Sequence, residues 1–201
     1  MNKKGQIGLV LGVIALVIVL CIAIVAGMYN GLVNADVNVK AKWGNVQTAY
    51  QRRADLIPNL VDTVKGYKNY EQETLTKITE LRSQAGQAQN DVKAAKTPAE
   101  IDAAGTEMSS VMSRLLVIVE AYPDLKASQN FLSLQDELSG TENRIKYERD
   151  NYNTAVQAYE VKTRSFPTSM LAGMFGFNFD RYKMFEAQAG AENAPKVNFN
   201  E

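Results

Sequence analysis

The chain has 201 residues, 22 basic and 22 acidic, with no histidine and one cysteine, Cys21. Those counts exclude a His-assisted serine or cysteine nucleophile, a zinc site built on histidine or cysteine, and a disulfide within one chain. Beyond Lys3 and Lys4 the balance is 20 basic to 22 acidic, which gives no electrostatic reason to expect nucleic acid.

Residues 1–6 are short and positive, and lead into an apolar run, Ile7–Met28, with no charge and no proline. As a helix this run extends roughly 33 Å, enough to cross a hydrocarbon core of about 30 Å. A secretory signal has a shorter apolar core, about 7–15 residues, and needs a small-residue cleavage site. Val25-Ala26-Gly27 is the nearest approach to one, so a retained anchor is the preferred reading. Lys3-Lys4-Gly5-Gln6 also resembles the cleavage region of archaeal type IV pilin-like precursors, where cutting after Gly5 leaves the apolar helix whole. Lys3 and Lys4 precede the run and no basic residue follows until Lys40 and Lys42. The positive-inside rule then puts the amino terminus in the cytoplasm and the soluble domain outside.

From Leu32 to Leu81 apolar residues recur at spacings of three and four: Trp43, Val46, Tyr50, then Ile57, Leu60, Val64, Tyr67, and later Leu75 and Ile78. That is one face of a helix sustained over many turns, and Arg53 falls on it. Pro58 predicts a kink, since it deletes a backbone hydrogen bond; the competing reading is a fresh helix capped by Asp55. Ser83–Thr97 is polar and small, with Gly86 and Asn90, and predicts a helix reversal. Thr97-Pro98-Ala99-Glu100 is a start signal, with Thr97 as cap, Pro98 first in the helix and Glu100 completing a capping box. The helix it opens ends at Ala121-Tyr122-Pro123, and Pro123 opens the next, striped by Phe131, Leu134, Leu138, Ile145, Tyr152, Val156 and Tyr159. Ser165-Phe166-Pro167 closes that helix; Pro167–Gly176 reads as a short helix or packed turn, followed by alternating Phe175, Phe177 and Phe179. Residues 187–201 read as a flexible tail. The domain plan is thus 1–6, a span at 7–28, one helical bundle at 29–186, and the tail.

The run Tyr50-Gln51-Arg52-Arg53-Ala54-Asp55-Leu56-Ile57-Pro58-Asn59-Leu60-Val61, with Val64-Lys65-Gly66-Tyr67 after it, resembles the signature of the LemA family. So do Tyr29-Asn30-Gly31-Leu32-Val33, Ala121-Tyr122-Pro123-Asp124-Leu125-Lys126-Ala127, and Leu134-Gln135 to Thr141-Glu142-Asn143-Arg144-Ile145, running on to Arg149 and Tyr152-Asn153. The pieces fall in the family's order from Lys3 to about Glu186. The resemblance implies a single-pass membrane protein with a helical-bundle domain, in a family of bacteria and archaea with one branch in magnetosome membrane building. It carries over no catalytic residue. The expected fold is all-α: an N-terminal transmembrane helix continuing into an antiparallel bundle of three or four long helices.

Arg52, Arg53, Asp55, Pro58 and Asn59 form the densest polar set beside an apolar stripe. Arg53 on that stripe faces the bundle and needs a carboxylate, for which Glu142 and Glu148 are candidates, since an unpaired buried charge is very costly. An ion pair that fixes helix register is preferred over an anion or headgroup site. Arg149 and Asn153 join the set as structural or interaction candidates. Neighbouring carboxylates such as Glu71 and Glu73, or Asp136 and Glu137, diverge on a helix and read as solvated surface, not as an acid–base pair. For Phe175–Phe179, a cap over the bundle end is preferred over a membrane-interface or partner contact. No cofactor or metal is expected. The expected protein is a non-enzymatic scaffold or interaction module in the cell membrane, in contact with the bilayer and with a lateral homo-oligomer or an unidentified membrane protein. The alternatives are an accessory subunit of a membrane enzyme complex and a pilin-like filament former.

Overall fold

The computed structural model describes residues 3–67 and 70–186, so the tail expected at 187–201 lies outside the described residues. Among them lie six helices and no strand: α1 Lys3–Lys65, α2 Gln72–Ala94, α3 Pro98–Glu120, α4 Pro123–Lys126, α5 Gln129–Arg164 and α6 Thr168–Ala172. The fold is all-α, and the N-terminal apolar helix continues without a break into the helical bundle. α1, of 63 residues, runs through Pro58. Asp55 therefore lies inside a helix and caps nothing.

Beyond the span, buried and half-buried positions on α1 follow one 3-4 rhythm: Leu32, Asp36, Val39, Trp43, Val46, Tyr50, Arg53, Ile57, Leu60 and Val64. This spacing keeps one stripe facing its partners. The stripe does not extend to Leu81 in a single helix. α1 stops at Lys65, with Gly66 and Tyr67 bonded back to Asp62 and Val64, and Leu75 and Ile78 belong to α2. The reversal expected across Ser83–Thr97 is confined to residues 95–97, because α2 stays helical to Ala94. Its buried face, Ile78, Leu81, Ala85, Ala88 and Val92, keeps the helical period with alanines in place of large side chains.

α3 begins as expected. The Thr97 hydroxyl accepts from the Glu100 N–H, Pro98 is first in the helix, and Glu100 Oε2 accepts from the Lys96 N–H at 2.7 Å. Pro123 opens only the four-residue α4. Ser128 then accepts from the Phe131 N–H at 3.3 Å at the start of α5. α5 passes through Gly140 unbroken.

The described residues pack as two compact units, one within 3–46 and 150–182, the other within 47–149 and 183–186. In the first, the α1 part runs antiparallel to the α5 part: Trp43 stacks against Tyr152 at 5.5 Å between ring centroids, and Gly31 lies beside Lys162. In the second, cross-helix bonds set the directions. Gln47, Asp55 and Asp62 of α1 meet Ala95, which caps α2, and Gln89 and Arg82 within α2, an antiparallel register. Tyr50 and Arg53 meet Asp102 and Ser109 of α3 in rising order, and Arg53 meets Glu142 of α5. The unit is an up-down-up-down bundle of the kind short connections favour.

Candidate functional site

Within the second unit, two polar pins join three helices. Asp102 on α3 accepts from the Tyr50 hydroxyl of α1 at 2.7 Å and takes Arg149 of α5 in a two-pronged pair at 2.9 and 3.0 Å. A guanidinium fork held this way fixes both direction and register. Arg149 also lies 4.5 Å from the ring centre of Phe185. Burial and the Asp102 carboxylate push the Tyr50 phenol above its ordinary value, so it stays protonated at neutral pH. Tyr50 can approach α3 this closely because residue 105 is glycine: a Cβ there would stand 2.7 Å from Tyr50 Cε1.

The second pin is Arg53, 8% exposed, which donates to Ser109 Oγ at 3.2 Å and pairs with Glu142 of α5. Of the two carboxylates expected opposite Arg53, Glu142 fills the role. Glu148 instead takes Arg144 at 2.7 Å, and its Oε2 is buried with no hydrogen-bond partner. Arg52 points outward and pairs with Glu137. The Asp55 carboxylate accepts from Gln51 and Gln89, both at 2.7 Å, linking α1 to α2. Pro58 is buried; Asn59 is exposed, and its carbonyl accepts from the Thr63 hydroxyl at 2.9 Å. Asn153 is half-buried and belongs to the first unit.

The first unit holds a polar site that the sequence reading missed. Asp36, buried on the α1 stripe, accepts from Lys40 at 2.7 Å and from the Tyr182 hydroxyl at 2.7 Å, with Arg181 at 3.5 Å. Burial pushes the Asp36 carboxyl up, but the bonds from Lys40 and Tyr182 and the charge of Arg181 outweigh it and hold it below the ordinary value. Burial and the bond to Asp36 raise the Tyr182 phenol in turn. Its ring stands edge-on to Tyr159 at 5.2 Å, and the Tyr159 hydroxyl donates to the Asn178 carbonyl at 3.0 Å. Phe177 and Phe175 reach Tyr29 at 6.1 and 5.1 Å between centroids. The 3-4 spacing of Asp36 between Leu32 and Val39 was the available signal; nothing local marked Tyr182.

Each carboxylate that meets a tyrosine also meets a guanidinium, and the tyrosines are held in the protonated form, the wrong poise for a general base. Among the described residues no group of three acidic or cysteine side chains is placed to hold a metal ion.

The apolar helix has the composition and length of a membrane span, and none of its most apolar window is buried in the chain. The family model described as the LemA family matches residues 42–199. The chain belongs to the LemA family. Among curated relatives of this LemA-family chain is Protein LemA of Metamycoplasma hominis, 34% identical over 127 residues, covering 63% of this chain and 55% of the relative. Magnetosome protein MamQ 2 of Paramagnetospirillum magneticum is 22% identical over 167 residues, covering 72% of this chain and 60% of the relative. Magnetosome protein MamQ of Magnetospirillum gryphiswaldense is 23% identical over the same length. The chain thus spans little more than half the length of the curated relatives it matches. It is a membrane-anchored, single-pass member of this family.

Proposed function

We propose that this LemA-family protein is a non-enzymatic helical scaffold or interaction module at the membrane surface, with its amino terminus in the cytoplasm and its helical bundle on the opposite side. The observation that carries the reading is the use made of its polar side chains. Arg53 pairs with Glu142 and Asp102 with Arg149 across helices, a use that fits register setting, the best-attested role for such groups, while Asp36 is held by Lys40 of its own helix and by Tyr182 and Arg181 beyond α6, and Glu148 pairs with Arg144 of its own helix. Magnetosome-protein relatives fit a structural role, and the span supplies the membrane on which it is exercised.

The test is cross-linking in intact membranes followed by extraction in mild detergent. A homo-oligomer or a stoichiometric membrane partner is expected, and a preparation holding monomer alone would retire the scaffold reading. Orientation is read with a cysteine at the exposed Ser139 in a Cys21→Ser background. An impermeant maleimide should label it in intact cells; labelling that requires lysis reverses the topology.

A further inference from the structure

The stretch from Phe166 to Phe179 contains no charged residue. Three of its large apolar side chains face outward: Phe166 is 79% exposed, Met170 69% and Met174 80%. Such exposure on one short segment is unusual for a surface that meets only water. Within the same unit, Phe175 packs on Tyr29, and together with Cys21, Ile22, Val25 and Ala26 of the span they line a groove of about 450 Å³. Cys21 lies eight residues before Tyr29, about 12 Å back along the helix, so the groove opens onto the part of α1 that the bilayer covers. The segment is therefore continuous with the lipid-facing surface of the span.

Basic groups stand at the adjoining level. Lys162 lies against Gly31, where a Cβ would be 2.9 Å from its Nζ, and the Arg164 guanidinium sits 4.3 Å from the Phe179 ring centre. Apolar side chains beside lysine and arginine, next to the end of the span, match the chemistry of acyl chains and phosphates at a bilayer border.

We propose that residues 166–179 form an interfacial foot that takes phospholipid: Met170, Met174 and Phe175 enter the acyl border, and Lys162 and Arg164 meet the phosphates. The foot rests on the span and is independent of the scaffold role. Its occupant is the surrounding bilayer and not a second copy, because the groove is walled on one side by the span itself.

The experiment uses the full chain in vesicles of phosphatidylcholine and phosphatidylglycerol, with and without bromine on the upper acyl carbons. Trp43, the single tryptophan, is 14 residues beyond Tyr29, about 21 Å further along α1, and reports a position above the lipid. Wild-type emission should be unchanged by bromine. Met174→Trp and, separately, Met170→Trp add a ring at an exposed position that folding does not depend on. The added emission should fall about twofold in brominated vesicles, as expected for a ring buried about 5–10 Å into the interface. Added emission that bromine leaves unchanged in both variants overturns the proposal. So does emission shifted to the blue without quenching and dependent on protein concentration, which would identify a second copy as the cover.

Discussion

The ring of Tyr50 lies where the side chain of any residue but glycine at position 105 would stand, 2.7 Å from that missing Cβ. The contact lets a tyrosine of α1 reach Asp102 across the face of α3. Gly105→Ala gains about 1 kcal/mol of helix propensity but overpacks the contact, at about 1–3 kcal/mol, and disturbs a hydrogen bond worth about 1 kcal/mol. A net loss of about 1–3 kcal/mol is expected in urea unfolding of the detergent-solubilised chain. Tyr50→Phe in the Gly105→Ala background should lose little more, because the bond is already spent.

Arg53 is buried, whereas its partner Glu142 is half exposed, with 51% of its side chain accessible. Solvent screens such a pair, so a double-mutant cycle of Arg53→Met with Glu142→Gln should give a coupling of about 0.5–1 kcal/mol. Arg53→Met alone keeps the volume of the stripe and leaves Glu142 hydrated, so the variant should fold with nearly unchanged stability. Unfolding of that single variant would show that the pair bears more than register.

Asp36 has a folded carboxyl pKa below its ordinary 3.8. The stability it supplies is complete above that value and drains away as pH falls through the depressed folded pKa. Hydrogen exchange at residues 173–182 should accelerate in this acid window, and Asp36→Asn should abolish the acceleration.

At the other end of the scale, burial lifts the Tyr70 and Tyr152 phenols to about 12, and Tyr50 and Tyr182 also rise. For an acid with a raised folded pKa, stability is complete below the unfolded value of 10.0 and falls as pH climbs toward the folded one. An alkaline titration followed by tyrosinate absorbance should show a late phase that coincides with loss of helical dichroism. Early, complete ionisation of all nine tyrosines would contradict the packing.

Tyr182→Phe removes one donor from Asp36 while Lys40 and Arg181 remain. The expected cost is about 1.5–3 kcal/mol, for a hydrogen bond to a charged acceptor. It should appear as faster proteolysis after α6, with α2 and α3 unaffected.

Local chemistry made much of this fold legible. The Thr97 cap, the stops at Tyr122-Pro123 and Phe166-Pro167, and the passage of α1 through Pro58 all depend on residues within a turn of one another. α2 was hidden because Ala85 and Ala88 carry the helical period with too little apolar bulk to register as a stripe. Gly66 does not read as a stop because Tyr67 prolongs the spacing past the real end of α1. Arg53 announced itself as a charge on an apolar face, and Glu142 followed from the need to neutralise it. Asp36 and Tyr182 are 146 residues apart, and Asp102 depends on partners on two other helices. Such pairings are properties of the packed chain and leave little trace in neighbouring residues.

Because hydrogen bonds run without interruption from the span into the Leu32–Val46 stripe, there is no swivel between the embedded part of α1 and Asp36. A torque on the span, from a neighbouring helix or from a change in bilayer thickness, must be transmitted to the Asp36–Tyr182 clasp as a rotation of the same helix. The anchor is then also a shaft, and the Tyr29–Phe175 contact and the Asp36–Tyr182 clasp lie in turn along the length that rotates.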